Sequence, residues 1–297
     1  MTEIQNKQNP VINRRTFLKR SSWLTAGFLA TCAVPFYSYF AEPRWVDTVA
    51  LELSFSRLPA TFDGIRILQF TDLHYGFFYD STNLIELIST INALKPDMIV
   101  FTGDFFDGEF VPYVQECVKA LTNLHRAPLG HYAVMGNHDY YSGYTKSAQV
   151  VDIYEKGGFK VLINDSIQIE RNGKSIQIAG VDDMFLGKPN LERTFRKTNP
   201  NNFTLFLAHE PDYADQATDY TFDLQLSGHS HGGQVRLPFV GALITPPGGK
   251  NYVHGLHTLD SLTGTRMIYT NRGIGTAHIP IRFLCRPELT VFTLRST

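Results

Sequence analysis

The sequence predicts an α/β fold in which two sheets pack face to face with helices outside them. Strand-like and helix-like segments alternate from residue 65 to 156, and strands dominate from residue 159 onward. Alternation builds a helix-covered, mostly parallel sheet, and a run of strands adds a second one. With 43% hydrophobic residues, 297 residues can fill one large domain or two modest ones. No repeat, low-complexity tract or linker interrupts residues 46–297, so these read as one domain.

Residues 1–41 read as an address. Asn13-Arg14-Arg15-Thr16-Phe17-Leu18-Lys19 precedes an uncharged, mostly apolar stretch over 21–40. Twin arginines followed by Phe-Leu-Lys resemble a signal for the twin-arginine export machinery, which carries folded proteins. The competing reading is an uncleaved membrane anchor with basic flanks, since about 20 apolar residues span a bilayer. Thr31-Cys32-Ala33 offers small residues for cleavage, whereas Leu29-Ala30-Thr31-Cys32 makes a poor lipobox because Thr31 replaces a smaller residue. The expected location is outside the bacterial cytoplasmic membrane, either in the cell wall and beyond or anchored to the membrane.

In the body, Val49, Leu51, Leu53 and Phe55 alternate along a strand over 48–55. A strand over 65–71, a helix over 82–94 and a strand over 97–102 follow. Ile85, Leu87, Ile88 and Ile91 form the apolar face of that helix, and Lys95-Pro96 stops it. Then come a helix over 111–124, a strand over 131–135, and a helix over 147–156 ended by Gly157-Gly158. Asn172-Gly173 between strands 166–171 and 174–179 is a two-residue hairpin turn. Further strands are expected over 203–208, 223–226, 266–269 and 289–294.

The formal charge of −1 conceals an asymmetry. Setting aside residues 1–41, with five basic side chains and Glu3, leaves 22 basic against 27 acidic residues. A mildly acidic body argues against nucleic-acid binding, which requires a basic face. It leaves room for a phosphorylated small-molecule or envelope substrate, because metal ions supply local positive charge. Cys32, Cys117 and Cys285 form no metal spacing or disulfide framework. Cys117 and Cys285 read as small core residues.

Five segments bear metal-binding side chains: Asp72-Leu73-His74, Gly103-Asp104-Phe105-Phe106-Asp107, Gly136-Asn137-His138-Asp139, His209, and Gly228-His229-Ser230-His231. Each follows an apolar run, and ligands of open α/β sheets gather beyond the carboxyl ends of strands. Any one alone is a turn, a cap or a surface histidine. Together they provide the oxygen and nitrogen donors that suit Mn, Fe or Zn. An extended backbone at 72–74 places Asp72 and His74 on one face, and the pair His229 and His231 is expected to do the same. A carboxylate such as Asp104 can bridge two cations. The neutral oxygen of Asn137 holds a metal without quenching its acidity, and His138 faces elsewhere, free for proton transfer.

This ordered set resembles the calcineurin-like metallophosphoesterases. The similarity runs along residues 46–297, and Gly228-His229-Ser230-His231-Gly232-Gly233-Gln234 with Asn271-Arg272-Gly273 resembles their bacterial, twin-arginine-exported phosphodiesterase branch. The resemblance implies a four-layer α/β/β/α sandwich of two mixed sheets with two divalent ions at the strand ends. Asp72, His74, Asp104 and His231 are then expected to hold one metal. Asp104, Asn137, His209 and His229 are expected to hold the other. A metal-bridging hydroxide would attack phosphorus in line while His138, oriented by Asp107, protonates the departing alkoxide.

Arg272 is either a clamp for substrate phosphate or one half of a structural salt bridge. Asp182-Asp183 reads as a capping pair, with a supporting role for ligand imidazoles as the alternative. Tyr140, Tyr141 and Tyr144 form an aromatic rim or pack in the core. The loop 245–250 lines the cleft or passes it by. His125, His131, His254, His257 and His278 match no ligand position and read as surface or core residues. A protein phosphatase is disfavoured because Asp107-Gly108-Glu109 replaces that branch's Asp-Arg-Gly. Two rivals to an exported phosphodiesterase stand: a membrane-surface pyrophosphohydrolase of a lipid-linked or nucleotide diphosphate, and a non-catalytic, metal-stabilised envelope protein.

Overall fold

The computed structural model describes residues 14–107, 113–141, 144–261 and 264–297. In chain order its main elements are α1 (Arg14–Phe36), β1 (Asp47–Phe55), β2 (Arg66–Phe70), α2 (Ser81–Leu94), β3 (Met98–Phe101), α3 (Val114–Leu121), β4 (His131–Ala133), α4 (Tyr144–Lys156), β5 (Lys160–Val161), β6 (Asp165–Arg171) and β7 (Lys174–Gly180). They continue through α5 (Leu191–Phe195), β8 (Thr204–Leu207), α6 (Tyr213–Gln216), β9 (Leu224–Ser227), β10 (Arg236–Leu237), β11 (Gly241–Ala242), β12 (Gly255–Ser261), β13 (Gly264–Thr270) and β14 (Glu288–Ser296). The helix expected over 111–124 is shorter, and the start of that range lies outside the described residues.

Two six-stranded mixed sheets form, ordered β1-β14-β2-β3-β4-β5 and β12-β13-β9-β8-β7-β6. Side-chain alternation sets the layers. Ile67, Met98 and Val100 face Leu205, Leu207, Leu224 and Leu226 in the core between the sheets. Their neighbours Leu68, Ile99 and Phe101 turn the other way, against Leu87 and Ile91 of α2, Cys117 of α3 and Ile153 of α4. On the far side, Phe206 and Ala179 pack beneath Phe195 of α5 and Tyr213 of α6. The result is the expected helix/sheet/sheet/helix sandwich.

Helix α2 shows how local sequence fixes an element. The Asp80 side chain accepts from the Thr82 and Asn83 amides at 2.9 and 3.1 Å, and Asn83 Oδ1 accepts from the Asp80 amide at 3.1 Å. This reciprocal cap satisfies otherwise orphaned donors. Leu84, Leu87, Ile88 and Ile91 are its buried face, and Ile85, expected there, is exposed instead.

The parallel strands β2, β3 and β4 of one sheet and β8 and β9 of the other end on the same side of the sandwich. The chain that follows each carries one of the five ligand-bearing segments. The N-terminal segment is also tied into this region. After α1, a π turn (Tyr37–Ala41) and a 3-10 turn (Glu42–Arg44) lead into β1. Glu42 is fully buried and accepts the amides of Leu284 and Cys285, while Ser38 O accepts from the Arg282 amide at 2.9 Å. Ser38 and Glu42 are thus tied by hydrogen bonds to residues 282–285. Among the described residues, no helix is long and apolar enough to cross a membrane.

Candidate metal centre

The strands deliver their ligands through backbone that turns sharply at the sheet edge. Asp72, His74, Asp104, His229 and His231 have φ between +48° and +66°, the left-handed region that side chains bearing a Cβ seldom adopt. The extended geometry expected for Asp72-Leu73-His74 and for the His229 pair is thus absent. β2 ends at Phe70, and the left-handed turns aim the side chains into one cavity while Leu73 enters the helix-covered core. Such conformations cost of order 1–3 kcal/mol each and persist only where surroundings enforce them. Here the enforcement is visible. Asp72 N donates to Gly103 O at 3.0 Å, His138 N to Asp104 Oδ1 at 2.8 Å, and His229 N to both Asp72 oxygens at 3.1 Å.

Glycine permits two of these approaches. A Cβ on Gly136 would fall 2.3 Å from Asp104 Oδ1, and one on Gly228 would fall 2.2 Å from Asp72 Oδ2. Asp139, which the sequence reading left without a role, braces the same turn. Its carboxylate accepts from the amides of Asp104, Phe105 and Gly136 and from the Tyr154 hydroxyl, at 2.9 to 3.1 Å.

Seven candidate ligands meet in two adjoining clusters. Asp72, His74 and His231 have donor atoms within 4.8 Å of one another, as do Asp104, His209 and His229. Asp104 Oδ2 faces both, 3.1 Å from His209 Nε2 and 3.8 Å from His74 Nε2. Asn137 Oδ1 lies 3.1 Å from His229 Nδ1. His229 Nε2 donates to Pro247 O at 2.8 Å and His209 Nδ1 to Thr102 O at 2.6 Å. These bonds leave His229 Nδ1 as a lone-pair donor turned inward, and His209 Nε2 as an inward nitrogen that offers a lone pair once its proton is lost. His209 Nε2 is buried against the Asp104 carboxylate, and the lone pairs of Asn137 Oδ1 and His229 Nδ1 oppose each other. Divalent cations are the groups that would satisfy such a set of donors, so the residues fit the expected metals.

The electrostatics agree. Burial, then His209, pushes the His229 pKa down to about 4. Burial, His74 and Arg282 hold His231 well below the ordinary histidine value. Both rings are therefore neutral near pH 7, as metal ligation requires. Burial alone would lower His209 too, but the carboxylates of Asp104 and Asp72 raise it well above the usual value. In the metal-free protein it thus carries a proton near pH 7, which an incoming cation must displace. Titrating stripped protein with Zn²⁺ or Mn²⁺ in weak buffer should release about one proton from this group, and apparent affinity should fall as pH falls. Calorimetry in buffers of different ionisation enthalpy measures both.

Residues 65–233 match the family model for calcineurin-like phosphoesterases, and the match contains every one of these ligands. The chain belongs to the calcineurin-like phosphoesterase family. It is 41% identical to the metallophosphoesterase YkuE of Bacillus subtilis, over 96% of this chain and 99% of that protein. It is 32% identical to the phosphodiesterase YaeI of Escherichia coli, over 96% of this chain and all of that one. Similarity also extends to the UDP-2,3-diacylglucosamine pyrophosphatase LpxG of Chlamydia trachomatis, 27% identical over 90% of this chain and 95% of that protein. As a calcineurin-like phosphoesterase the chain is a metal-dependent phosphoester hydrolase, which sets aside a purely structural role for its metals.

Other expectations divide. Asp107 reaches two histidines, with Oδ1 3.3 Å from His138 Nδ1 and Oδ2 3.6 Å from His74 Nδ1. Arg272 is engaged in a salt bridge. Its Nε donates to Glu288 Oε2 at 2.5 Å and its Nη2 lies 3.7 Å from Asp47 Oδ2, the salt bridge of the two alternatives. Asp183 Oδ2 accepts from the amides of Phe185, Leu186 and Gly187, as a capping residue does. Asp182 Oδ1 accepts from Tyr140, which is buried, whereas exposed Tyr141 has its ring centroid 4.2 Å from that of His138. The side chain of Tyr144 lies outside the described residues. Loop 245–250 reaches the site through Pro247 O. Cys117 and Cys285 are buried, as expected.

His278, read as a surface or core residue, is exposed, at φ +61°, with its ring centroid 6.3 Å from that of His138. One group near the centre was not singled out by sequence. Arg282 is fully buried, donates to the carbonyls of Arg272, Gly273, Gly275 and Cys285, and sits 3.4 Å from His231 Nδ1. Arg282 lies in no motif that spacing could single out.

Proposed function

We propose that this chain is an exported phosphodiesterase working with two divalent cations of the Mn, Fe or Zn class. Asp72, His74, Asp104 and His231 would hold one, and Asp104, Asn137, His209 and His229 the other. When bound, such cations supply Lewis acidity toward phosphoryl oxygens and a more acidic water. The observation that carries the reading is the pair of donor clusters meeting at Asp104, with His138 beside them, within 4.8 Å of His74 and Asp104 and paired through Nδ1 with Asp107. His138 Nδ1 faces Asp107, which leaves Nε2 as the nitrogen that carries a proton toward a departing ester oxygen. Burial would lower the His138 pKa, but Asp104 and Asp107 raise it above the ordinary value, which favours the acid form.

Support for a diester substrate comes from the likeness to a phosphodiesterase. Support for export comes from Arg14-Arg15-Thr16-Phe17-Leu18-Lys19 ahead of the apolar stretch, with the twin-arginine machinery as partner and the envelope as destination. A second reading, hydrolysis of a lipid-linked diphosphate at the membrane, is favoured by the likeness to a pyrophosphatase of a diacylated sugar nucleotide. Metal-stripped protein, restored in turn with each metal, should cleave bis(p-nitrophenyl) phosphate at least about tenfold faster than p-nitrophenyl phosphate. Comparable rates would sink the diester assignment, and preference for a diphosphate would move the chain to the second reading.

A further inference from the structure

Residues 237–249, Leu-Pro-Phe-Val-Gly-Ala-Leu-Ile-Thr-Pro-Pro-Gly-Gly, contain no ionisable side chain, and Arg236 and Lys250 stand at either end. The segment forms the two-stranded ribbon β10–β11, which joins neither large sheet. Its apolar side chains point outward. Phe239 is 109% exposed, Ile244 79% and Val240 68%, and Leu237 and Leu243 are exposed as well. Soluble proteins seldom leave so many large apolar groups uncovered together without a use for them.

The ribbon is rooted at the metal centre. A Cβ on Gly233 would fall 2.4 Å from Ala242 Cβ, two residues after His231, and Pro247 O accepts from His229. The ribbon is also joined to the N-terminal segment. Arg236 N donates to Phe283 O at 2.9 Å, and residues 282–285 are bonded in turn to Ser38 and Glu42. Leu284, Phe36 and Phe40, which belong to these joined segments, are exposed as well. A protruding, uncharged tip with a cation at each end matches the profile of a bilayer, apolar within and anionic at its surface.

We propose that the ribbon 237–244 inserts into the outer face of an anionic phospholipid bilayer and holds the metal centre against it. This contact does not depend on which phosphoester is cleaved. The test uses the full chain with Cys32→Ser and Val240→Cys, labelled at residue 240 with an environment-sensitive nitrobenzoxadiazole dye. Cys117 and Cys285 are buried. With vesicles of phosphatidylglycerol and phosphatidylcholine, the emission should shift to the blue and be quenched by nitroxide groups on the acyl chains. Adding Phe239→Ser and Ile244→Ser should weaken this vesicle-dependent signal by about tenfold or more, since each removes a buried apolar side chain from lipid. Turnover of soluble bis(p-nitrophenyl) phosphate should be unchanged, which separates this contact from the hydrolase assignment. Emission unmoved by vesicles would overturn the proposal. So would a blue shift that appears without lipid as protein concentration rises, because the occupant would then be a second copy of the chain.

Discussion

Replacing Asp104 by Asn should strip the centre of both metals and lower kcat/KM by about a thousandfold. The reason is geometric. Asp104 Oδ2 faces His209 Nε2 at 3.1 Å and His74 Nε2 at 3.8 Å, so a single oxygen serves both donor clusters. Oδ1 accepts the His138 amide and so fixes the turn that presents Asn137. Although burial alone would raise its pKa, the histidines His209, His138 and His74 hold the carboxyl far below its usual value, and it is ionised at any working pH. An amide removes that charge and turns an NH₂ group toward nitrogens that must themselves bind cations. The several kcal/mol of transition-state stabilisation supplied by bound cations is then lost, at about 1.4 kcal/mol per tenfold in rate. Metal analysis and steady-state kinetics measure the two effects. Retention of two metals per chain, with wild-type rates, would refute the shared-carboxylate arrangement.

The elements around this site differ in how far the sequence announced them. β2, β3, β8 and β9 were legible because each is a short apolar run followed at once by Asp, Gly-Asp, His or Gly-His. The runs read as strands buried on both faces, and the ligand that ends each one marks the sheet edge. What ligand spacing could not convey is the left-handed backbone at Asp72, His74, Asp104, His229 and His231. That conformation is imposed by contacts between loops distant in sequence, such as His229 N to Asp72. Asp139 sat in plain view within Gly136-Asn137-His138-Asp139, yet its role appears only when the amides of Asp104 and Phe105 are folded against it. The two-residue strand β5 and the ribbon β10–β11 carry too few residues for any periodicity to register. Arg272 and Arg282 could not be sorted by sequence. Both lie in the same late, irregular stretch, and only the fold gives Arg272 to Glu288 and sends Arg282 behind His231.

His138→Ala is expected to spare the metals and to act on the leaving group. Its ring stands within reach of Asp104 and His74, but no bond to the backbone aims a lone pair at the cluster, and its Nδ1 is directed at Asp107 instead. Loss of a positioned acid typically costs 10²–10⁴-fold, and only where the departing oxygen needs a proton. Alkyl phosphodiesters should therefore slow by about that factor, while nitrophenyl esters, whose leaving group departs as a stable anion, should slow by less than about tenfold. Asp107→Asn should act in the same direction more weakly, and its effect on pH separates orientation from mere packing. The carboxylate of Asp107 helps raise the His138 pKa, so its removal lowers that pKa and the acid form disappears at lower pH. The alkaline limb of the kcat profile on an alkyl diester should accordingly move toward acid in the variant. An unmoved limb, or a parallel loss of metal in His138→Ala, would take this histidine out of the proton-transfer role and put it among the ligands.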